Sequence, residues 1–266
     1  MLDSFGREIY YLRISVTDRC NLRCRYCMPE EGVPLMPRKA MLSLEEIAEF
    51  ARSAADLGFH KVRLTGGEPL VRSGIAALVS MLAGITGIRD LSMTTNGVLL
   101  ARYARDLARA GLMRVNVSLD AVDPERFSHL TRGGDVRAVL EGIDAALDAG
   151  LSPVKINCVV QSSPYEEDAR AVARYAYDRG LEVRFIKRMN LEAGEFSKVE
   201  GGSGGDCRTC SRLRLGPDGT VRSCLFSDVT FDAKSLGARE AIMRAIEGKP
   251  ESGRRCVTAS MSMIGG

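Results

Sequence analysis

The sequence predicts an α/β fold with one parallel sheet, curled as part of a barrel or open and doubly wound. Three observations carry this. Between about residues 10 and 189, short runs rich in β-branched residues alternate with amphipathic runs of helical period. Six such βα units in succession imply right-handed crossovers and hence parallel strands. The unusual polar residues collect just after the strand-like runs, where ligands gather in parallel α/β sheets.

The first strand is expected at 11–16, followed by a cysteine loop. A helix then runs to about Asp56: Ser43 with Glu46 three residues on reads as a capping box, and Gly58 as the stop. The remaining strands fall at 61–65, 89–94, 114–119, 154–160 and 182–189. The remaining helices fall at about 75–82, 99–110, 136–149 and 166–179, with Gly111, Gly150 and Gly180 following the last three. Past Met189 the character changes. The stretch 194–205 is polar and glycine-rich, and 199–205 reads as a flexible linker. A cysteine-containing segment, a short helix near 238–247 and a tail ending in Gly265-Gly266 follow. The expected division is a barrel over 1–190 and a small appended segment over 191–266 that covers the barrel mouth.

At 266 residues, 45% hydrophobic and 27% charged, the chain can bury a large core. Its 37 basic and 34 acidic side chains leave a net charge of +3, which is no nucleic-acid signature; anion binding has to come from local arginines. Eight cysteines, bunched at 20/24/27 and 207/210/224 with Cys158 and Cys256 apart, do not resemble the framework of a small secreted domain. They suit metal binding in a reducing compartment. The start of the chain has no apolar signal-like run and no later run approaches a membrane span, so a cytoplasmic protein without membrane partners is expected.

Cys20, Cys24 and Cys27 form a C-x3-C-x2-C loop behind the first strand. A four-iron cluster is normally held by four thiolates, so three leave one iron open to a small molecule, and an open position marks a metal site that does chemistry. Tyr26, between two of these cysteines, can place its ring against a planar cofactor. The other reading is structural zinc, which usually takes paired C-x2-C units or histidine. After the second strand, Thr65-Gly66-Gly67-Glu68-Pro69 offers backbone that can approach a ligand closely. Thr94-Thr95-Asn96-Gly97, Ser118-Leu119-Asp120, and Lys155 with Asn157 put polar groups on successive strands. Cys207, Cys210 and Cys224 make a second set of three, with a zinc site completed by Cys256 as the alternative. Arg212 and Arg214, at alternate positions of an extended segment, present two guanidiniums to one side, a grip suited to phosphate.

The ordered motifs C-x3-C-x2-C, Gly-Gly-Glu-Pro, Thr-Thr-Asn-Gly and Val-Ser-Leu-Asp resemble those of radical S-adenosylmethionine enzymes. Within them, residues 13–21, the C-x2-C-x13-C set with Arg212-Leu213-Arg214, Cys224-Leu225-Phe226 and the Gly-Gly end are similar to the GTP 3',8-cyclase family, which begins molybdenum cofactor biosynthesis. The resemblance implies an incomplete (βα)6 TIM-like barrel, a lyase activity on GTP, S-adenosylmethionine, and two [4Fe-4S] clusters, one on Cys20, Cys24 and Cys27 and one on Cys207, Cys210 and Cys224. It implies that Tyr26, Gly66, Gly67, Glu68, Ser118 and Met189 meet S-adenosylmethionine. Arg13, Arg63, Thr94, Lys155, Arg212, Leu213, Arg214, Gly265 and Gly266 would meet GTP, with Arg13, Arg63 and Lys155 closest to the chemistry. A reductant protein such as a flavodoxin or ferredoxin is implied as electron donor, and a homodimer is compatible with it. The chain departs from the family pattern in being several dozen residues shorter between Met189 and Cys207, in Lys187 where glutamate is common, and in the loop Gln161-Ser162-Ser163-Pro164. Two other readings are a peptide-modifying radical enzyme with an auxiliary cluster, and a shortened homologue that binds cofactor without turnover.

Overall fold

The computed structural model describes residues 1–258. Its first part alternates as the hydrophobic pattern dictates: β1 (Tyr11–Ser15), α1 (Leu44–Asp56), β2 (Lys61–Thr65), α2 (Ile75–Ala83), β3 (Asp90–Thr95), α3 (Leu100–Arg109), β4 (Arg114–Ser118), α4 (Pro124–Thr131), α5 (Val136–Asp148), β5 (Lys155–Val160), α6 (Glu167–Asp178) and β6 (Glu182–Lys187). Then come β7 (Arg212–Leu215), β8 (Thr220–Arg222), β9 (Thr230–Asp232), α7 (Ala233–Leu236) and α8 (Ala238–Glu247). The capping box of α1 is present, Ser43 accepting from the Glu46 amide while the Glu46 carboxylate accepts from that of Ser43.

All strands join one sheet in the order β6-β5-β4-β3-β2-β1-β7-β8-β9, with β6 and β9 as its outer strands. The barrel is therefore incomplete. Side chains alternate across each strand. Leu12, Ile14, Val62, Leu64, Leu91, Met93, Val115 and Val117 pack under the helices, each 1% exposed or less. The intervening positions, among them Arg13 and Arg63, face the concave side.

Three features differ from the sequence reading. The segment carrying Arg212 and Arg214 is a seventh parallel strand: β7 pairs with β1, Tyr11 opposite Arg212 and Arg13 opposite Arg214. Leu213, Leu215, Val221, Ala241 and Ile242 join the main core, so β7, β8 and α8 extend the same body. α4 was not anticipated, although Asp123 caps it by accepting from the Arg126 amide and Pro124 opens it. The glycine-rich join is a folded turn rather than a flexible linker. Phe185 and Glu200 exchange both backbone hydrogen bonds, at 3.0 and 3.1 Å, which covers the open edge of β6. Gly205 lies at φ +76, and a Cβ there would fall on the Ser197 carbonyl oxygen.

Candidate active site

Cys20, Cys24 and Cys27 follow the C-terminal end of β1 and are half-buried free thiols. The Leu22 amide donates to Cys20 Sγ at 3.4 Å. Burial, with Asp120 and the neighbouring cysteines adding to it, pushes the Cys24 thiol up to about 12, and burial with Cys20 pushes Cys27 up to about 11. Three crowded thiols of this kind are poor thiolates on their own, and a bound metal reverses that balance. The set therefore fits an iron–sulfur cluster.

The strand ends around this loop are tied to it. Tyr26 Oη donates to Asp120 Oδ2 at 2.7 Å, and Asp120 Oδ1 accepts from the Val159 amide at 2.7 Å, so the ring is fixed against the ends of β4 and β5. Asn96 Nδ2 donates to Asn21 Oδ1 at 2.8 Å. Glu68 is buried and does not project outward; its carboxylate accepts from the Leu70 and Asn96 amides and from Thr95 Oγ1. Burial raises this carboxyl to about 7 against those bonds. The glycines before it serve packing first. A Cβ on Gly67 would fall on the Arg19 carbonyl oxygen and one on Gly66 would stand 2.7 Å from that of Thr17, while the Gly67 and Glu68 amides donate to those same two carbonyls. The Gly-Gly-Glu turn is thus a seat for the cysteine loop. Ser118 ends β4, half-buried, and the buried Thr94 hydroxyl has no hydrogen-bond partner among the described residues.

Within the barrel lies a cavity of about 430 Å³. It is lined by Tyr11, Arg13, Lys61, Arg63, Arg114, Lys155, Arg184, Arg212, Arg214 and Met189 together with Cys207, Cys210 and Cys224. Lys61, Arg114 and Lys155 open their strands, so this basic wall sits at the N-terminal half of the sheet, away from the C-terminal ends where ligands gather in such folds. Register explains the crowding: Arg13 stands opposite Arg63 on one side and Arg214 on the other. Burial and mutual repulsion lower each of these three to about 10, an unusual position for arginine. Like charges directly opposite one another destabilise a sheet, which marks the row as a site for an anion. Tyr11 packs at its centre, with Lys61, Arg63 and Arg212 each within 6 Å of its ring. The two carboxylates in the lining are already taken, Asp90 by Lys61 and Arg114, and Asp206 by Lys198 and Arg208.

Sequence reasoning missed Arg184, Lys61, Arg114 and Asn116. With its amide oxygen toward the arginines, Asn116 accepts from Arg184 at 2.9 Å and Arg63 at 3.1 Å. The signal is the charged or amide residues at alternate positions of β2, β4 and β5, Lys61 and Arg63, Arg114 and Asn116, and Lys155 and Asn157. Lys155 reaches the cavity paired with Glu182. Leu213 is buried in the core behind β7 and does not line the cavity. Gly265 and Gly266 lie outside the described residues.

Cys207 and Cys210 precede β7, and Cys224 follows β8, which runs back beside it. β7 is parallel to β1, so the two cysteine sets stand at opposite ends of the sheet, roughly 15 Å apart or more along the strands at about 3.3 Å per residue. The electrostatics also differ. Burial opposes ionisation of Cys210, yet Lys249, the Arg212 amide, Arg212 and Arg214 outweigh it and lower the thiol. Three half-buried thiols lining one cavity, with the orphaned hydroxyl of Ser223 beside them, fit a second cluster. Cys256 instead joins Leu191, Leu225 and Phe226 in a small apolar cluster. Among the described residues no three His, Cys, Asp or Glu side chains gather closely enough to hold a single ion.

A model of the radical SAM superfamily matches residues 14–176. A GTP 3',8-cyclase of Thermodesulfovibrio yellowstonii is 41% identical over 322 residues, with 100% of both chains covered, and one of Peptoclostridium acidaminophilum is 38% identical over 299, covering 94% of this chain and 92% of that one. The first alignment runs well past the 266 residues here, so several dozen positions of that relative have no counterpart. Among solved structures, Streptococcus suis SuiB bound to precursor peptide SuiA aligns with a TM-score of 0.66 at 14% identity, covering 92% of this chain and 66% of that one. Native anSMEcpe with bound AdoMet gives 0.61 at 15%, covering 91% and 81%. At such identity these two report the fold alone.

Proposed function

The chain belongs to the radical SAM superfamily and, within it, to the GTP 3',8-cyclases, and on that premise we propose that it converts GTP to 3',8-cyclo-7,8-dihydro-GTP for molybdenum cofactor biosynthesis, its basic cavity holding the nucleotide. The observation that carries this is the row Arg214-Arg13-Arg63 across three adjacent strands beside Cys207, Cys210 and Cys224. A triphosphate supplies the negative charge that such a row demands.

In this reading Arg13, Arg63, Arg212, Arg214 and Lys155 hold the phosphates and Thr94 offers its unpartnered hydroxyl. The second cysteine set, on a [4Fe-4S] cluster of its own, faces the base. At the other end Cys20, Cys24 and Cys27 hold the first cluster, with Tyr26, Ser118 and Met189 around S-adenosylmethionine and the Gly66-Gly67-Glu68 turn keeping the loop in place. S-adenosylmethionine held there, with one electron passed through the first cluster from the reductant, would supply radical chemistry at the 3' hydrogen of GTP and leave as methionine and 5'-deoxyadenosine. The protein's part is to line both reactants along one channel, exclude water through the turn 199–205, and hold the ribose toward the radical source. Residues 1–190 then form the barrel that carries the first cluster and part of the GTP site, and 191–266 carry the second cluster and the rest of that site, in a cytoplasmic enzyme fed by a flavodoxin or ferredoxin. No helix among the described residues is long and apolar enough to cross a membrane.

The test is an anaerobic assay of reconstituted protein with S-adenosylmethionine and reductant, following 5'-deoxyadenosine and nucleotide. The cyclic product is expected in step with GTP loss; 5'-deoxyadenosine formed with GTP intact would assign the radical chemistry to another substrate.

A further inference from the structure

Lys249 is 3% exposed. Its Nζ donates to the Arg212 carbonyl at 2.7 Å and the Ser223 carbonyl at 2.6 Å, that is, to the backbone two residues after Cys210 and one before Cys224. Its charge acts on both sulfurs. Among the described residues no carboxylate pairs with it. Besides these carbonyls it has the Cys210 and Cys224 sulfurs for company, and a buried ammonium is costly unless a negative group completes its surroundings. Arg7 reaches the third cysteine. Its guanidinium donates to the Cys207 carbonyl at 2.8 Å and to the carbonyls of Pro250 and Glu251 at 2.7 and 2.8 Å, while its Nε is held by Asp3 at 2.6 Å. The first residues of the chain and the segment 249–251 thus close together on the second cysteine set.

We propose that Lys249, locked in place by Arg7, is a positioning residue for the second cluster: it holds the backbone on either side of Cys210 and Cys224 and places a fixed positive charge against the cluster. This rests on the reading that Cys207, Cys210 and Cys224 carry a cluster. A cluster on three thiolates is an anion whose charge grows on reduction, so a neighbouring ammonium favours the reduced form and raises the potential. The Asp3–Arg7 pair is neutral within itself; its work is to tie Cys207 to the strand of chain that carries Lys249.

The experiment uses the full-length chain with Cys20, Cys24 and Cys27 all changed to Ala, reconstituted with iron and sulfide, so that only the second set can be loaded. Iron and sulfide are counted and the midpoint potential is followed by electron paramagnetic resonance. Lys249→Gln, which keeps a donor and drops the charge, is expected to shift the reduced-to-oxidised ratio at fixed potential by tenfold or more, ~59 mV downward for one electron. Lys249→Arg is expected to restore the value. Arg7→Gln is the second variant, expected to release the cluster faster to a chelator while circular dichroism stays unchanged. A loaded cluster whose potential ignores Lys249→Gln, or a retention that ignores Arg7→Gln, overturns the inference and leaves the second cluster standing. A parent chain that is folded and takes up no iron overturns both.

Discussion

Arg214 on β7 lies in register with Arg13 on β1, two guanidiniums on one face of adjacent strands with Arg63 next in the row. In the proposed reading the phosphates of GTP bind along that row. Arg214→Met should weaken GTP binding by at least about 30-fold, corresponding to ~2 kcal/mol for a lost buried charge contact. The same change should leave the ligand-free protein as stable or more so, by up to ~1 kcal/mol from relieved repulsion. Equilibrium dialysis and urea unfolding check the two halves, and a loss of stability would contradict the account.

Gly67 carries the cysteine loop through contact with Arg19. Gly67→Ala should displace that loop and cost the first cluster while sparing the second, so iron and sulfide after reconstitution should fall to about half. Retention of both clusters would show that the loop has slack.

Gly205, at φ +76 and seated on Ser197, makes the join a specified turn. Gly205→Ala should destabilise the chain by ~1–3 kcal/mol and open the segment 197–206 to limited proteolysis. An unchanged cleavage pattern and melting temperature would mean that the segment behaves as a free linker.

Burial raises the Glu68 carboxyl to about 7, above its unfolded value near 4.5. The folded state therefore binds this proton more tightly than the unfolded state, and Glu68 lowers stability as pH rises from about 4.5 to 7, by ~3 kcal/mol in all. Glu68→Gln should lose that slope, so that its stability gains on that of the parent as pH rises through the window. Unfolding free energies of apoprotein and variant across that range decide the point.

Much of the barrel was legible because its signal is local. β-branched runs and capped amphipathic helices placed β2 at Lys61–Thr65 and α8 at Ala238–Glu247 with the bounds seen. The cysteine spacing and the Gly-Gly-Glu turn placed the first set correctly at the end of β1. What escaped depended on partners distant in sequence. Nothing local in Arg212-Leu213-Arg214-Leu215 says that it pairs with β1, and that pairing is what gathers the arginines at the N-terminal half of the sheet. The join 199–205 has a linker's composition, yet Gly201 and Gly205 are needed because the Val183 and Ser197 carbonyls crowd them. Nothing local in the sequence marks Arg7 or Lys249, which the fold buries.

The meeting of the chain's beginning and end around the second cysteine set has a consequence in time. During synthesis Arg7 is made long before Lys249, and β1 has no β7 beside it until Arg212–Leu215 have been made. The first cysteine set is complete in its surroundings as soon as β5 can fold, since Val159 is the last residue that its Asp120–Tyr26 support requires. Assembly thus has a built-in order: the Asp120–Tyr26 support of the first set is complete once Val159 is in place, whereas the second set also needs Lys249.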